Sequence, residues 1–284
     1  MSYFSMFPTE GYDYYRDGIV QNVVGIYKSV RPLQNFIDNL AGYNYYEIKN
    51  GERPDIVSQR LYGSVNYYWT FFIINEFLHD GIGVWPMSQE DLTEYINNEY
   101  NGYAIESRPD ILRNSDGQII DYTDSLAGKF KLGETITGGI SGATGTLTKK
   151  DVYLNQLVVQ DVSGGAFLGN ASGNVGGLED VTGSTSQDSV LSYMAYEYAS
   201  APHHYYRTDD PTEIQVSPTV FFSQTDDSPT NEILNIGSTS TAELSYTTNR
   251  QYIHALNDER SKIKVLDGSV IAKFVSTFES LLNA

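Results

Sequence analysis

The side chains that could do chemistry are few and scattered. The histidines are His79, His203, His204 and His254. None has a histidine four residues on, so no helix would present a pair of ring nitrogens on one face, and no H-E-x-x-H pattern occurs. His203 and His204 are neighbours, and neighbours on a strand point to opposite faces, so no metal site is expected there. Asp209-Asp210 and Asp226-Asp227 lack the alternating carboxylates, central glycine and distal glutamate of a calcium loop and read as solvated loops. Two carboxylates across a sugar would suffice for glycoside hydrolysis, but 36 Asp and Glu residues give no means of selecting a pair. Ser141 sits in Gly139-Ile140-Ser141-Gly142-Ala143, which misses the second glycine of a nucleophile elbow. Neither G-x-x-x-x-G-K-[ST] nor G-x-G-x-x-G is present, so the glycines read as turns and bulges. Asn170-Ala171-Ser172 matches the glycosylation triplet but follows no secretory signal. No catalytic residue, metal or cofactor is expected.

Composition narrows the classes further. The chain has 284 residues and a formal charge of −18, so a phosphate backbone would repel it, and no basic stripe overrules that average. No nucleic-acid partner is expected. Cysteine is absent, which excludes disulfides, thiolate metal sites and a cysteine nucleophile. The longest apolar run, Trp69 to Ile74, is too short to span a bilayer, and Met1 to Pro8 has neither a basic nor an apolar signal region, so neither membrane nor secretion is expected. The 23 tyrosines and 12 phenylalanines exceed what an ordinary core uses. Tyrosine combines an apolar face with a polar tip and suits interfaces.

The elements that would carry these residues read as an α+β chain in four segments. Residues 1–42 look like an extended arm, with Tyr12, Tyr14 and Tyr15 among acidic residues, then a helix through Leu33, Phe36, Ile37 and Leu40. Residues 43–126 begin with a short strand at Tyr45–Ile48 and a turn at Asn50-Gly51. Pro54 opens a helix with Ile56, Val57 and Leu61 on its apolar side, and Gly63 stops it. Asn66 is expected to cap the next helix, which is apolar nearly all round from Tyr67 to Ile74 and must therefore be covered. Ser88 and Asp91 form a capping-box variant ahead of Leu92, Tyr95, Ile96 and Glu99.

Residues 127–190 are rich in Gly, Ser and Thr, with short β-branched runs such as Asn155–Val162. They read as a small all-β unit, the alternative being a solvated linker. Phe167-Leu168-Gly169 weakly echoes the segment's opening. Residues 191–284 start with dense tyrosines and pass through polar loops with a strand at Thr219–Phe222. They end with a strand at Lys262–Leu266, an Asp267-Gly268 turn, Ser269 as a cap, and a terminal helix. On that helix Ile271, Phe274, Val275, Phe278, Leu281 and Leu282 share one face, which must pack on its own chain or on a partner.

Two resemblances follow from these residues. Tyr46, Ile48, Gly51, Glu52, Ile56, Val57, Tyr62 and Asn75 occupy the places of a LysM module, with Trp69 in its second helix; Arg53-Pro54 replaces the usual Thr-Leu. A wider likeness covers about the first 110 and last 95 residues. Leu61–Trp69, Trp85–Glu90 and Asn257–Leu266, with the apolar terminal helix, resemble the LysM-like baseplate wedge protein of T4-like contractile-tailed bacteriophages. The Gly-rich segment 127–190 departs from that family's shorter core and resembles β-rich inserts of other phage structural proteins.

The likeness implies a virion component made in the host cytoplasm, partnered by other wedge proteins and neighbouring wedges, with no catalytic residues. It makes Arg53, Pro54, His79, Phe274 and Phe278 the candidate partner contacts. Two alternatives stay open: a peptidoglycan-binding LysM cleft between Asn50–Pro54 and Phe77–Gly81, and a tail-associated cell-wall hydrolase.

Overall fold

A computed structural model describes residues 3–26, 43–107, 110–113, 119–123, 126–169, 178–208, 214–216 and 244–283, of which 110–113, 119–123 and 244 as backbone only. The expected helix at 33–40 and strand at 219–222 lie outside these residues, as do both aspartate pairs and the glycosylation triplet.

In chain order the described elements begin with β1 (Thr9–Tyr12), β2 (Gln21–Val24) and β3 (Tyr43–Glu47). Three helices follow: α1 (Pro54–Tyr62), α2 (Trp69–Ile74) and α3 (Gln89–Glu99). Then come β4 (Tyr103–Glu106), β5 (Asp110–Arg113), β6 (Ile119–Thr123), β7 (Thr135–Gly138), β8 (Thr144–Asp151) and β9 (Gln156–Ser163). They continue with β10 (Glu179–Gly183), β11 (Ser189–Ser192), β12 (Met194–Glu197), β13 (Pro202–Arg207), β14 (Gln215–Val216) and β15 (Leu244–Thr248). The chain closes with α4 (Asn249–Ser261), β16 (Lys262–Leu266) and α5 (Ile271–Leu282). The fold is α+β, with strands paired antiparallel throughout the described sheets.

Two units result, one of residues 1–92 with 255–284 and the other of residues 93–254. The expected divisions at 126 and 190 do not coincide with them. β4, from the second expected segment, and β12, from the fourth, pair with each other in the same sheet as the Gly-rich strands. Strand pairing joins residues by register, whatever their distance in sequence.

In the first unit β3 pairs with β16, Tyr43 opposite Leu266 and Glu47 opposite Lys262. α1 starts at Pro54, where a missing N–H costs nothing. It ends at Gly63, whose φ of 69° lets its N–H reach the Gln59 carbonyl at 3.0 Å. The following turn is capped by the Ser64 hydroxyl, which accepts the Asn66 N–H at 3.2 Å. Asn66 is thus the capped residue and not the cap. α3 starts as expected, with the Ser88 hydroxyl accepting the Asp91 N–H at 3.1 Å and donating to its carboxylate at 2.8 Å.

The Ser269 cap does not form. Asp267 takes the Ser269 hydroxyl and N–H at 2.6 and 2.9 Å, and α5 begins without a side-chain cap. Of the expected stripe, Ile271, Phe274, Phe278 and Leu282 are buried with Met6, Phe7, Trp69, Ile74 and Leu266 and Val275 packs partly against them, whereas Leu281 is 53% exposed and lies off the buried face. The helix therefore packs on its own chain. A second cluster, with Ile48, Val57, Phe71, Leu78, Trp85, Ile263 and Val265, fills the other side of the β3–β16 pair. The N-terminal arm differs from the extended reading: β1 and β2 form a hairpin with Thr9 opposite Val24.

In the second unit a seven-stranded sheet has the order β11-β10-β7-β8-β9-β4-β12. Ile105, Ile136, Leu147, Leu157, Val159, Phe167 and Val181 lie in its main core. Alternate residues Ala104 and Val158 face the opposite way and pack with Tyr198 and Ala201. A smaller sheet has the order β14-β13-β15.

Candidate functional site

The candidate module is β3, α1, α2 and β16. Its first turn is held by a closed polar cluster. Burial of Glu52 places its carboxylate where the Tyr46 hydroxyl donates at 2.8 Å and the Lys49 N–H at 3.1 Å. Arg60, one helix away, forms an ion pair with Glu52 and donates to the Tyr46 oxygen at 2.7 Å. Strand, turn and helix are so clasped by three side chains. The Trp85 ring N–H donates to the Glu52 carbonyl at 2.8 Å, and the Gln89 N–H donates to the Asn50 side chain at 2.7 Å. Both turn residues are thus occupied by their own chain.

Asn75 ends α2 and faces β16. Its amide donates to the Phe71 carbonyl at 2.8 Å and to the Lys264 carbonyl at 2.9 Å, and its oxygen accepts the Lys264 N–H at 2.8 Å. Asn257 grips Met87 likewise, accepting its N–H at 2.8 Å and donating to its carbonyl at 3.2 Å.

Most of the other expected module residues serve the core. Ile48, Val57 and Trp69 are buried, and Gly51 takes a φ of 70° in the turn. Tyr62 stacks on Phe71 at 5.9 Å, and burial pushes its hydroxyl up to about 12. Ile56 departs from the expectation: it is 48% exposed, because it lies on the outer side of α1.

Of the candidate contacts, Arg53 is exposed and pairs with Asp55 at 3.2 Å, and His79 is exposed with a ring nitrogen 3.4 Å from the Ile73 carbonyl. Pro54, Phe274 and Phe278 are buried. Trp69 covers Phe278 at 4.8 Å and Phe274 at 6.2 Å, so these two rings support the module and present no face to a partner.

Three arrangements in the second unit were not singled out from the sequence. The first is Glu106 on β4, fully buried, accepting from Gln156 at 3.0 Å and from the Tyr205 hydroxyl at 3.1 Å. Burial pushes its carboxyl up to about 7 although both donors pull downward. A glutamate among Tyr103-Ala104-Ile105 gave no local sign of this, since strand alternation would equally have put it in water.

The second is the histidine pair. A register shift in the β13–β15 pairing between Pro202 and His204 defeats simple alternation, and the two Nδ1 atoms lie 2.9 Å apart. His203 stacks on Tyr252 at 3.8 Å, and burial, then His204 and Lys149, lower its pKa. Among the described residues no three His, Asp or Glu side chains gather to hold a metal.

The third is a reciprocal clasp. Glu179 accepts the Ile140 and Ser141 N–H groups at 3.1 and 2.8 Å and the Ser141 hydroxyl at 2.9 Å. Glu134 accepts the Thr185 and Ser186 N–H groups at 2.9 and 2.8 Å and the Ser186 hydroxyl at 2.8 Å. Each glutamate therefore closes the turn that follows the other's strand. Burial alone would raise both carboxyls, but these donors, with the Leu168 N–H on Glu179 at 2.7 Å and the Lys131 N–H on Glu134 at 2.6 Å, outweigh it, holding Glu134 down to about 2 and lowering Glu179. A Cβ on Gly138 would strike Glu179 and Ser141, and one on Gly183 would strike Glu134 and Ser186. The signal was legible as a repeat: Glu134-Thr-Ile-Thr-Gly138-Gly-Ile-Ser141 against Glu179-Asp-Val-Thr-Gly183-Ser-Thr-Ser186. Ser141 is thereby a turn residue, tied to a carboxylate.

No family model matches the chain, and no curated protein matches it.

Proposed function

We propose that this chain is a structural subunit of a contractile phage tail, placed in the baseplate wedge and joining neighbouring wedge proteins during assembly. The observation that carries the reading is convergence. Of the three stretches that resemble the wedge family, Asn257–Leu266 lies far in sequence from Leu61–Trp69 and Trp85–Glu90, yet all belong to the first unit. Asn257 is bonded to Met87, β16 closes against β3, and Trp85 is bonded to the turn that precedes α1. The order strand, turn, short helix, second helix ending in Asn75 supports the LysM-like reading, and β16 pairs antiparallel with its strand. The seven-stranded sheet then reads as an insert between the second helix and the closing strand.

The scaffold role is favoured over glycan capture by the state of the turn. A sugar site needs polar groups free to meet hydroxyls. Here Asn50 and the Glu52 carbonyl are already bonded to Gln89 and Trp85, and the Glu52 carboxylate to Tyr46 and Lys49.

The test is sedimentation of purified tails. The chain should co-sediment with intact tails in several copies per particle, and its absence from them would overturn the reading. Pull-down on purified peptidoglycan should fail; micromolar binding would restore the cleft.

A further inference from the structure

The β1–β2 hairpin has no visible reason to stand alone. Every residue of both strands is exposed, and among the described residues no third strand joins the pair. A two-stranded hairpin is marginal in water unless something packs on it, and open edges invite another strand. Its large apolar side chains Tyr12, Tyr14, Tyr15, Ile19, Val20 and Ile26 are between 56% and 74% exposed. Exposed apolar surface at this density marks a contact site.

The tip is pre-set in spite of that exposure. The Asp13 carboxylate accepts the Asp17 N–H at 3.1 Å and the Gly18 N–H at 2.9 Å, and Asp17 accepts the Ile19 N–H at 2.9 Å. Tyr14 and Tyr15 meet edge to face at 5.0 Å. At the base the Gly25 N–H donates to the Pro8 carbonyl at 2.8 Å. A shape fixed before contact lowers the ordering cost of binding, and tyrosine is enriched where binding energy concentrates.

Charge selects the occupant. Residues 9–26 carry Glu10, Asp13 and Asp17 against Arg16, on a chain of net charge −18. A second copy would bring like charges together, whereas a basic rim would complement them. We propose that the hairpin is a docking arm for a different protein of the assembly, one that offers an open strand edge and an apolar strip bordered by Lys or Arg. The proposal deepens the assembly role and rests on it for the source of the partner.

The test places the photo-cross-linking residue p-benzoylphenylalanine at Tyr14 of the full chain, in the producing cell, and maps the adducts. Tyr14 touches no core, so the melting curve should be unchanged. The expected adduct is a different polypeptide, at an apolar segment flanked by Lys or Arg. Its yield should fall about threefold with Asp17→Lys, and likewise when the cross-linking is repeated in an extract of those cells at an ionic strength of about 1 M. Adducts confined to this chain's own residues, such as 27–42, adducts to a second copy, no adduct, or a yield indifferent to both changes would each overturn the docking arm. An adduct to another protein from a chain missing from purified tails would leave the arm standing and remove the baseplate reading.

Discussion

The Asn75 side chain pairs with the backbone of Lys264 through both of its amide atoms, at 2.8 and 2.9 Å, across 189 residues of sequence. It acts as a short piece of strand at the end of α2, meeting the edge of β16 that β3 leaves open. The same amide also accounts for a carbonyl of the last turn of α2. One side chain so joins the second helix to a strand that arrives after the whole second unit.

Asn75→Ala should therefore cost more than one hydrogen bond. It removes the partner of both Lys264 backbone groups, while the Phe71 carbonyl keeps the Asn75 backbone N–H at 3.2 Å. Each buried group left without a partner costs about 1–3 kcal/mol, so a total loss of about 2–4 kcal/mol is expected in denaturant unfolding. A loss below about 0.5 kcal/mol would mean that water replaces the amide without penalty.

Phe278 and Phe274 should act through the fold. Phe278→Ala is expected to destabilise by about 3–5 kcal/mol, because it opens a cavity beside Trp69. Protease should then cut within α5 before it cuts elsewhere. A variant that melts like the parent chain but no longer associates with partners would return these rings to the role of contact residues.

Glu106 makes stability fall as pH rises. Its carboxyl lies at about 7 in the fold against an ordinary 4.5, so between those values the folded chain holds the proton and the unfolded chain does not. The contribution is complete below about pH 4.5 and lost as pH passes 7; it amounts to on the order of 3 kcal/mol. Glu106→Gln keeps an acceptor for Gln156 and should flatten this slope when unfolding is measured at pH 5 and pH 8. An unchanged slope would place the titration elsewhere.

Glu134 acts with the opposite sign. Held down to about 2, it supports the fold above its ordinary 4.5 and loses that support as pH falls from there. Glu134→Gln should remove this acid sensitivity.

The clasp also makes a pairing prediction. Ser141→Ala and Glu179→Gln should couple by about 1 kcal/mol in a double-mutant cycle, while Ser141→Ala and Glu134→Gln should add within about 0.5 kcal/mol. Coupling of Ser141 to Glu134 instead would contradict the crossed arrangement.

What could be read from residues alone was local. Pro54, Gly63 and Ser88 set the bounds of α1 and the start of α3 through bonds that span a few positions, and the stripe of α5 follows from 3.6-residue periodicity. The same logic erred where a nearby competitor was stronger. Ser64 took the cap expected of Asn66, and Asp267 captured the Ser269 hydroxyl.

The α+β class, the terminal apolar stripe and the turn at Asn50-Gly51 were thus determined by the sequence itself, because capping, turn chemistry and periodicity act within one or two turns of chain. Only the tertiary structure decided that β16 closes on β3, that Asn75 reaches Lys264 and that Glu106 is buried; the two-glutamate clasp left a repeat in the sequence, but not which turn each glutamate closes. Those outcomes depend on which strands become neighbours. A hydrogen bond between residues 189 positions apart leaves no periodic or local mark in the sequence.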